Sequence, residues 1–108
     1  WGEEVTDVST PTDAEIAAAE ATFVAFLERD ATALESGLLE SVSTDERQYF
    51  GYETTNGRLL IVNGFCDRIG LDPSTDVIVV EDGGSCFWVA RYNLDTSTWE
   101  SIMINGEA

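Results

Sequence analysis

The chain of 108 residues contains no histidine and no lysine, and only five arginines stand against 21 acidic side chains, a formal charge of -16 at pH 7. Each absence excludes chemistry. Without histidine no side chain has an ordinary pKa near neutrality, and without lysine there is no Schiff-base nucleophile. Two cysteines alone fall short of the four nitrogen or sulfur ligands that structural zinc takes. No metal and no cofactor are therefore expected. No apolar run approaches the roughly 20 residues that cross a bilayer. The chain opens at Trp1 without a cationic, apolar leader, so we expect a processed or a trimmed form from which any signal peptide is already gone.

What is present is a hydrophobic fraction of 44%, too high for a chain kept unfolded by its charge. A length of 108 residues suits one domain with a real core. Residues 1–54 carry 13 acids and two arginines, and residues 55–108 carry eight acids and three arginines. Such a surface repels nucleic-acid phosphates and anionic headgroups, so neither a nucleic acid nor a membrane is expected as a partner. The acidity reads first as solvation, and it also suits a high-GC genome or a salt-rich habitat. The sharper alternative is a basic partner steered by the carboxylates.

Residues 1–11 read as a polar N-terminal arm ending at Pro11, and residues 12–108 as a single α+β domain. Thr12-Asp13-Ala14-Glu15 is a capping box, and Ile16, Ala19, Phe23, Phe26 and Leu27 recur at helical spacing. The pattern predicts a helix from Asp13 to about Arg29. A shorter helix is expected over 31–42, weakened by Gly37. Strands follow at Gln48–Thr54, Arg58–Cys66, Asp76–Glu81, Cys86–Tyr92 and Thr98–Ile104. Asn56-Gly57 signals a two-residue hairpin turn that would pair Thr54 with Leu59 and Phe50 with Asn63. Asp82-Gly83-Gly84-Ser85 reads as a second hairpin turn. The expected fold is an N-terminal helix packed on a four- or five-stranded antiparallel sheet.

An even cysteine count in an exported domain is most simply used as a Cys66–Cys86 disulfide, the alternative being two buried thiols. The pairing competes with a plain meander, which would leave the cysteines at opposite ends of the sheet, beyond the roughly 4.4–6.8 Å a disulfide spans between Cα atoms. We prefer the disulfide, and with it a secreted or periplasmic location.

Strict alternation in the last two strands puts Trp88, Ala90, Tyr92, Trp99, Ser101 and Met103 on one face, and Phe87, Val89, Ile102 and Ile104 on the other. Both faces are apolar, yet one long helix covers only one. Part of an aromatic surface is then exposed, or covered by residues 31–45, the N-terminal arm or another subunit.

The runs Arg47-Gln48-Tyr49-Phe50-Gly51-Tyr52 and Ile61-Val62-Asn63-Gly64-Phe65-Cys66 resemble a group of small uncharacterised exported bacterial proteins. So do Asp82-Gly83-Gly84-Ser85-Cys86-Phe87 and the closing Ile104-Asn105-Gly106-Glu107-Ala108. That resemblance spans about residues 47–108 and implies export rather than an activity. A helix followed by antiparallel strands also resembles cystatin-like folds. The chain lacks their glutamine–valine–glycine hairpin and reads Glu53-Thr54-Thr55-Asn56-Gly57 instead, so protease inhibition does not carry over.

Carboxylate pairs are the one catalytic device the composition permits, at separations of about 5–9.5 Å. With 21 acids such pairs arise by chance, and Glu53, Glu81 and Asp82 read first as solvated turn residues. A cysteine nucleophile would lack a histidine base. Asp72-Pro73-Ser74-Thr75-Asp76 lacks the acid ladder of a calcium loop, and Gly83-Gly84 is too short to cradle phosphate. The expected function is a non-enzymatic exported binding module, with Tyr52, Trp88, Tyr92, Trp99 and Met103 as ligand contacts. Its partner would be a protein or a glycan, or another copy of itself. The alternatives are a small carboxylate-dependent hydrolase or isomerase, and a subunit of a homo-oligomer or filament.

Overall fold

The structure, a computed structural model, describes residues 5–30, 38, 42, 44–55, 57–66, 72, 74–75 and 86–104. Its elements are β1 (Val5–Ser9), α1 (Asp13–Leu27), β2 (Glu46–Thr54), β3 (Gly57–Phe65), β4 (Phe87–Asn93) and β5 (Thr98–Ile104). The strands form one sheet in the order β1-β2-β3-β4-β5, every neighbouring pair antiparallel. The α+β layout expected from the sequence is the observed one.

Helix α1 starts where its capping box places it. Thr12 is extended (φ -78°, ψ 157°), its hydroxyl accepts the Glu15 N–H at 3.1 Å, and the Glu15 carboxylate accepts the Thr12 N–H at 3.0 Å. Asp13 and Glu15 also meet the positive end of the helix dipole. Ala19, Phe23 and Leu27, spaced four apart, form the buried stripe. The helix stops two residues before Arg29 because Arg29 and Asp30 donate to the carbonyls three residues back, a tightened last turn. Replacing Thr12 by alanine orphans an N-terminal donor, and urea unfolding is expected to show a loss of about 1 kcal/mol.

Residues 5–9, read from the sequence as part of a polar arm, are an edge strand. All five are exposed, so no alternation of buried and solvent-facing positions marked them as a strand. The expected helix over 31–42 falls largely outside the described residues, although Leu38 and Val42 are buried in the core. The expected strand at 76–81 and the turn at 82–85 also lie outside them.

The β2–β3 hairpin differs from its expected register by two residues. Thr54 pairs with Gly57, Tyr52 with Leu59 and Phe50 with Ile61. Gly57 is the first strand residue at φ 120°, a conformation open to glycine and strained for any side chain. The shift is even, so every side chain keeps its face.

Strand β4 lies directly against β3, with Phe65 opposite Phe87. No strand lies between them in the sheet, which agrees with the preference for the disulfide over a plain meander. Cys66 and Cys86 continue this pair by one residue, the Cys66 N–H donating to the Cys86 carbonyl at 2.9 Å. They form the disulfide, with Cα atoms 4.9 Å apart.

A β-bulge changes how the apolar residues of the last strands divide between the two faces, although Phe87 and Val89 stay on the second face as expected. Arg91 pairs with Ser101, but the next residue, Tyr92, pairs with Trp99, so Glu100 is an extra residue in β5. The bulge reverses the phase of the strand. Trp99 therefore shares a face with Ile102 and Ile104 rather than with Ser101 and Met103. Together with Trp88, Ala90 and Tyr92 they pack against Phe23 and Phe26 of α1 in one core. The opposite face has a polar centre: the Asn63 amide donates to Gln48 across the strand pair at 3.0 Å, and Arg91 pairs with Glu100.

Candidate functional site: the groove between the helix and the last hairpin

The structure does not gather the five aromatic and methionine candidates on one exposed surface. Trp88 is fully buried and Tyr92 nearly so, both beneath α1. Tyr52 and Met103 face the other side of the sheet, on strands separated by β3 and β4. Only Trp99 combines membership of the aromatic core with an accessible edge, being half-buried. The aromatic face is thus a covered one, packed under α1 with Leu38 and Val42, and Trp99 lies at its margin.

That margin is a groove. One wall is the α1 surface from Ala14 through Ala18, Thr22 and Phe26 to Arg29, and the other is the β4–β5 hairpin with Leu94, Ser97, Thr98 and Trp99. It comprises two shallow clefts of about 210 and 260 Å³ that share Ser97. The hairpin turn is held by the Asn93 side chain, which accepts the Asp95 and Thr96 N–H groups at 2.9 and 3.0 Å. Ser97 follows in a left-handed conformation, φ 57°.

Trp99 is fixed by its edge. Its indole N–H points to the Ala19 carbonyl at 2.9 Å and the Thr22 hydroxyl at 3.1 Å. The ring packs on Phe23 (4.6 Å between centroids), stacks near Phe26 (5.9 Å) and meets Tyr92 edge-on (4.9 Å). A rigid aromatic whose polar handle is already used offers a partner mainly its π surface.

The charges around the groove are unequal. At one end Glu15 is engaged by Thr12 and, at 3.0 Å, by Arg58. Its carboxyl is held below its ordinary range, first by the Thr12 N–H and then by Arg58. At the other end Arg29 is exposed. Arg47 pairs with Glu20, Arg58 with Glu15 and Arg91 with Glu100; among the described arginines, Arg29 alone makes no ion pair.

A second polar group lies inside the fold. The Trp88 indole N–H donates to Asp45 at 3.0 Å, while the other Asp45 oxygen has no hydrogen-bond partner. Burial raises the Asp45 pKa against the opposing effects of Trp88 and Arg47. Arg47 lies 5.6 Å from the Phe23 and Trp88 ring centres and 2.7 Å from Glu20, which accepts the Tyr49 hydroxyl at 3.1 Å. Burial first, and Glu20 second, push the Tyr49 pKa up to about 12. Raised above its ordinary value near 10, protonated Tyr49 contributes stability that is complete below pH 10 and is lost between there and about 12. Absorbance titration of phenolate should show a step near pH 12 that Tyr49→Phe removes; a wild-type curve complete by pH 11 would contradict the burial of Tyr49 against Glu20.

This group is the nearest approach to carboxylate catalysis, but Asp45 lines none of the clefts formed by described residues. Among the described residues no three acidic or cysteine side chains gather as a metal site, and no helix is long and apolar enough to cross a membrane. The sequence missed Arg29, Phe26 and Thr22 as groove residues. Helical spacing put Phe26 on the core stripe, and no sequence signal shows that Arg29 lacks a carboxylate. Comparisons with protein-family models, curated proteins and solved structures found no match to this chain.

Proposed function

We propose that this chain is a non-enzymatic, exported binding module whose contact surface is the groove between α1 and the β4–β5 hairpin. The observation that carries this reading is Trp99, an immobilised, half-exposed indole in a groove bordered by hydroxyls and a guanidinium. Rigid aromatics at concave sites supply contact area at low entropic cost. Glu15, the carboxylate on the groove wall, is held ionised as a helix cap, which suits structure rather than proton transfer. Export is supported by the Cys66–Cys86 disulfide, which persists in oxidising compartments. The charge of -16 argues against nucleic acid and anionic membrane as partners.

Glycan and peptide arrays probed with the wild-type chain and with Ala18→Arg test the proposal. Ala18 is exposed on the groove wall, so the arginine fills the groove without entering the core. Wild-type signals should disappear with Ala18→Arg and persist with Val8→Arg on the exposed edge strand. Signals that survive Ala18→Arg and vanish with Val8→Arg would move the contact surface to β1.

A further inference from the structure

We infer that the larger cleft of the groove takes a saccharide carrying a carboxylate, a hexuronate ring lying against Trp99 and Phe26 with its carboxylate on Arg29. The inference rests on the groove being the contact surface and adds the chemistry of its occupant.

Three observations converge on this class. The first is the isolation of Arg29. Arg47, Arg58 and Arg91 each hold a carboxylate, and among the described residues Arg29 makes no ion pair, even with its sequence neighbours Glu28 and Asp30. An exposed guanidinium in so negative a protein has every electrostatic reason to be paired. Its free fork on the lip of a cleft matches a carboxylate from outside. The second is the state of Trp99. Its N–H is spent on α1, leaving apolar ring surface beside exposed Thr22, Ser97 and Thr98. The Thr22 hydroxyl already joins Trp99 to the Ala19 carbonyl and the Thr98 hydroxyl is bonded to that of Thr96, so these two offer their remaining lone pairs. A sugar ring has the complementary pattern, an axial C–H face that stacks on indole and a rim of hydroxyls that need polar partners. The third is size. A cleft of about 260 Å³ accommodates a ring-sized group rather than a folded surface.

The sign of the charge separates this occupant from its rivals. Arg29 repels the cationic side chains of a basic peptide at the point where the aromatic contact is made. A long polyanion is repelled in turn by the remainder of the protein. One carboxylate at contact distance escapes much of that repulsion, because charges beyond about 8–10 Å are screened at physiological salt.

Calorimetric titration with digalacturonate and with its neutral counterpart galactobiose tests the inference, using wild type and Arg29→Gln. Arg29 is exposed and makes no ion pair among the described residues, so its replacement should leave the fold intact. The expected result is binding of digalacturonate at least about tenfold tighter than galactobiose, the weight of a charge-assisted hydrogen bond. Arg29→Gln should bring the two ligands to the same affinity. Equal binding of both sugars by wild type, unchanged in Arg29→Gln, would overturn the assignment to an acidic saccharide while leaving the groove as the contact surface. Absence of binding by either sugar at millimolar concentration would overturn the saccharide inference, and the arrays would then report on the groove independently.

Discussion

Gly64→Ala should cost about 3 kcal/mol, the upper end of what an overpacked core loses. Gly64 pairs across the sheet with Trp88, whose indole lies so close over it that an added methyl group would overlap the ring. The ring cannot easily step aside. It packs on Phe23 with 5.1 Å between centroids, its N–H is held by Asp45, and Arg47 lies over it. Moving it would strip the buried Asp45 carboxylate of its donor as well as disturb the largest side chain of the core. Urea unfolding followed by near-ultraviolet circular dichroism measures the loss. The double variant Gly64→Ala/Trp88→Phe supplies the control, since a smaller ring relieves the overlap and the two substitutions should be strongly non-additive. Additive losses would show that Gly64 does not seat Trp88.

Loss of the disulfide is the second large effect. Cys66 and Cys86 are separated by 20 residues, and freeing a loop of that size relaxes the unfolded chain by about 3 kcal/mol in the loop-entropy account. The bond also closes the end of the β3–β4 ladder beside the small Phe65–Phe87 cluster. The Cys66→Ala/Cys86→Ala variant should unfold at correspondingly lower urea, and a reducing agent should lower the wild-type midpoint while leaving the variant unchanged. Equal midpoints for the two proteins would remove the disulfide from the stability account.

How legible each part was depended on whether its cause is local. The capping box at Thr12 and the four-residue spacing of Ala19, Phe23 and Leu27 are local, so α1 was readable to within two residues at its end. Thr98–Ile104 was readable because turn residues bound it. The hairpin register was not, because Gly57 serves as a strand residue with positive φ instead of occupying the turn. The Glu100 bulge was the costlier omission. Period-two counting assumes an unbroken ladder, and one inserted residue moved Trp99 from the company of Met103 to that of Ile102. The aromatic face, expected to be exposed or else covered by residues 31–45, the arm or another subunit, is covered by α1 together with Leu38 and Val42, with a groove at its edge. The lack of an ion pair at Arg29 among the described residues is a property of where carboxylates lie in space, and composition conceals it.

The groove has a distinctive spectroscopic consequence, because Trp88 and Trp99 lie on the same face but only Trp99 lines a described cleft. Indole N–H resonances in a nitrogen-15 spectrum, assigned with Trp88→Phe and Trp99→Phe, can be followed while a ligand recovered from the arrays is added. The expected result is a shift of the Trp99 signal with the Trp88 signal, buried on Asp45, left in place. A ligand that binds without moving Trp99, and instead perturbs residues of β1 and β2, would contradict the groove as the working surface of this protein.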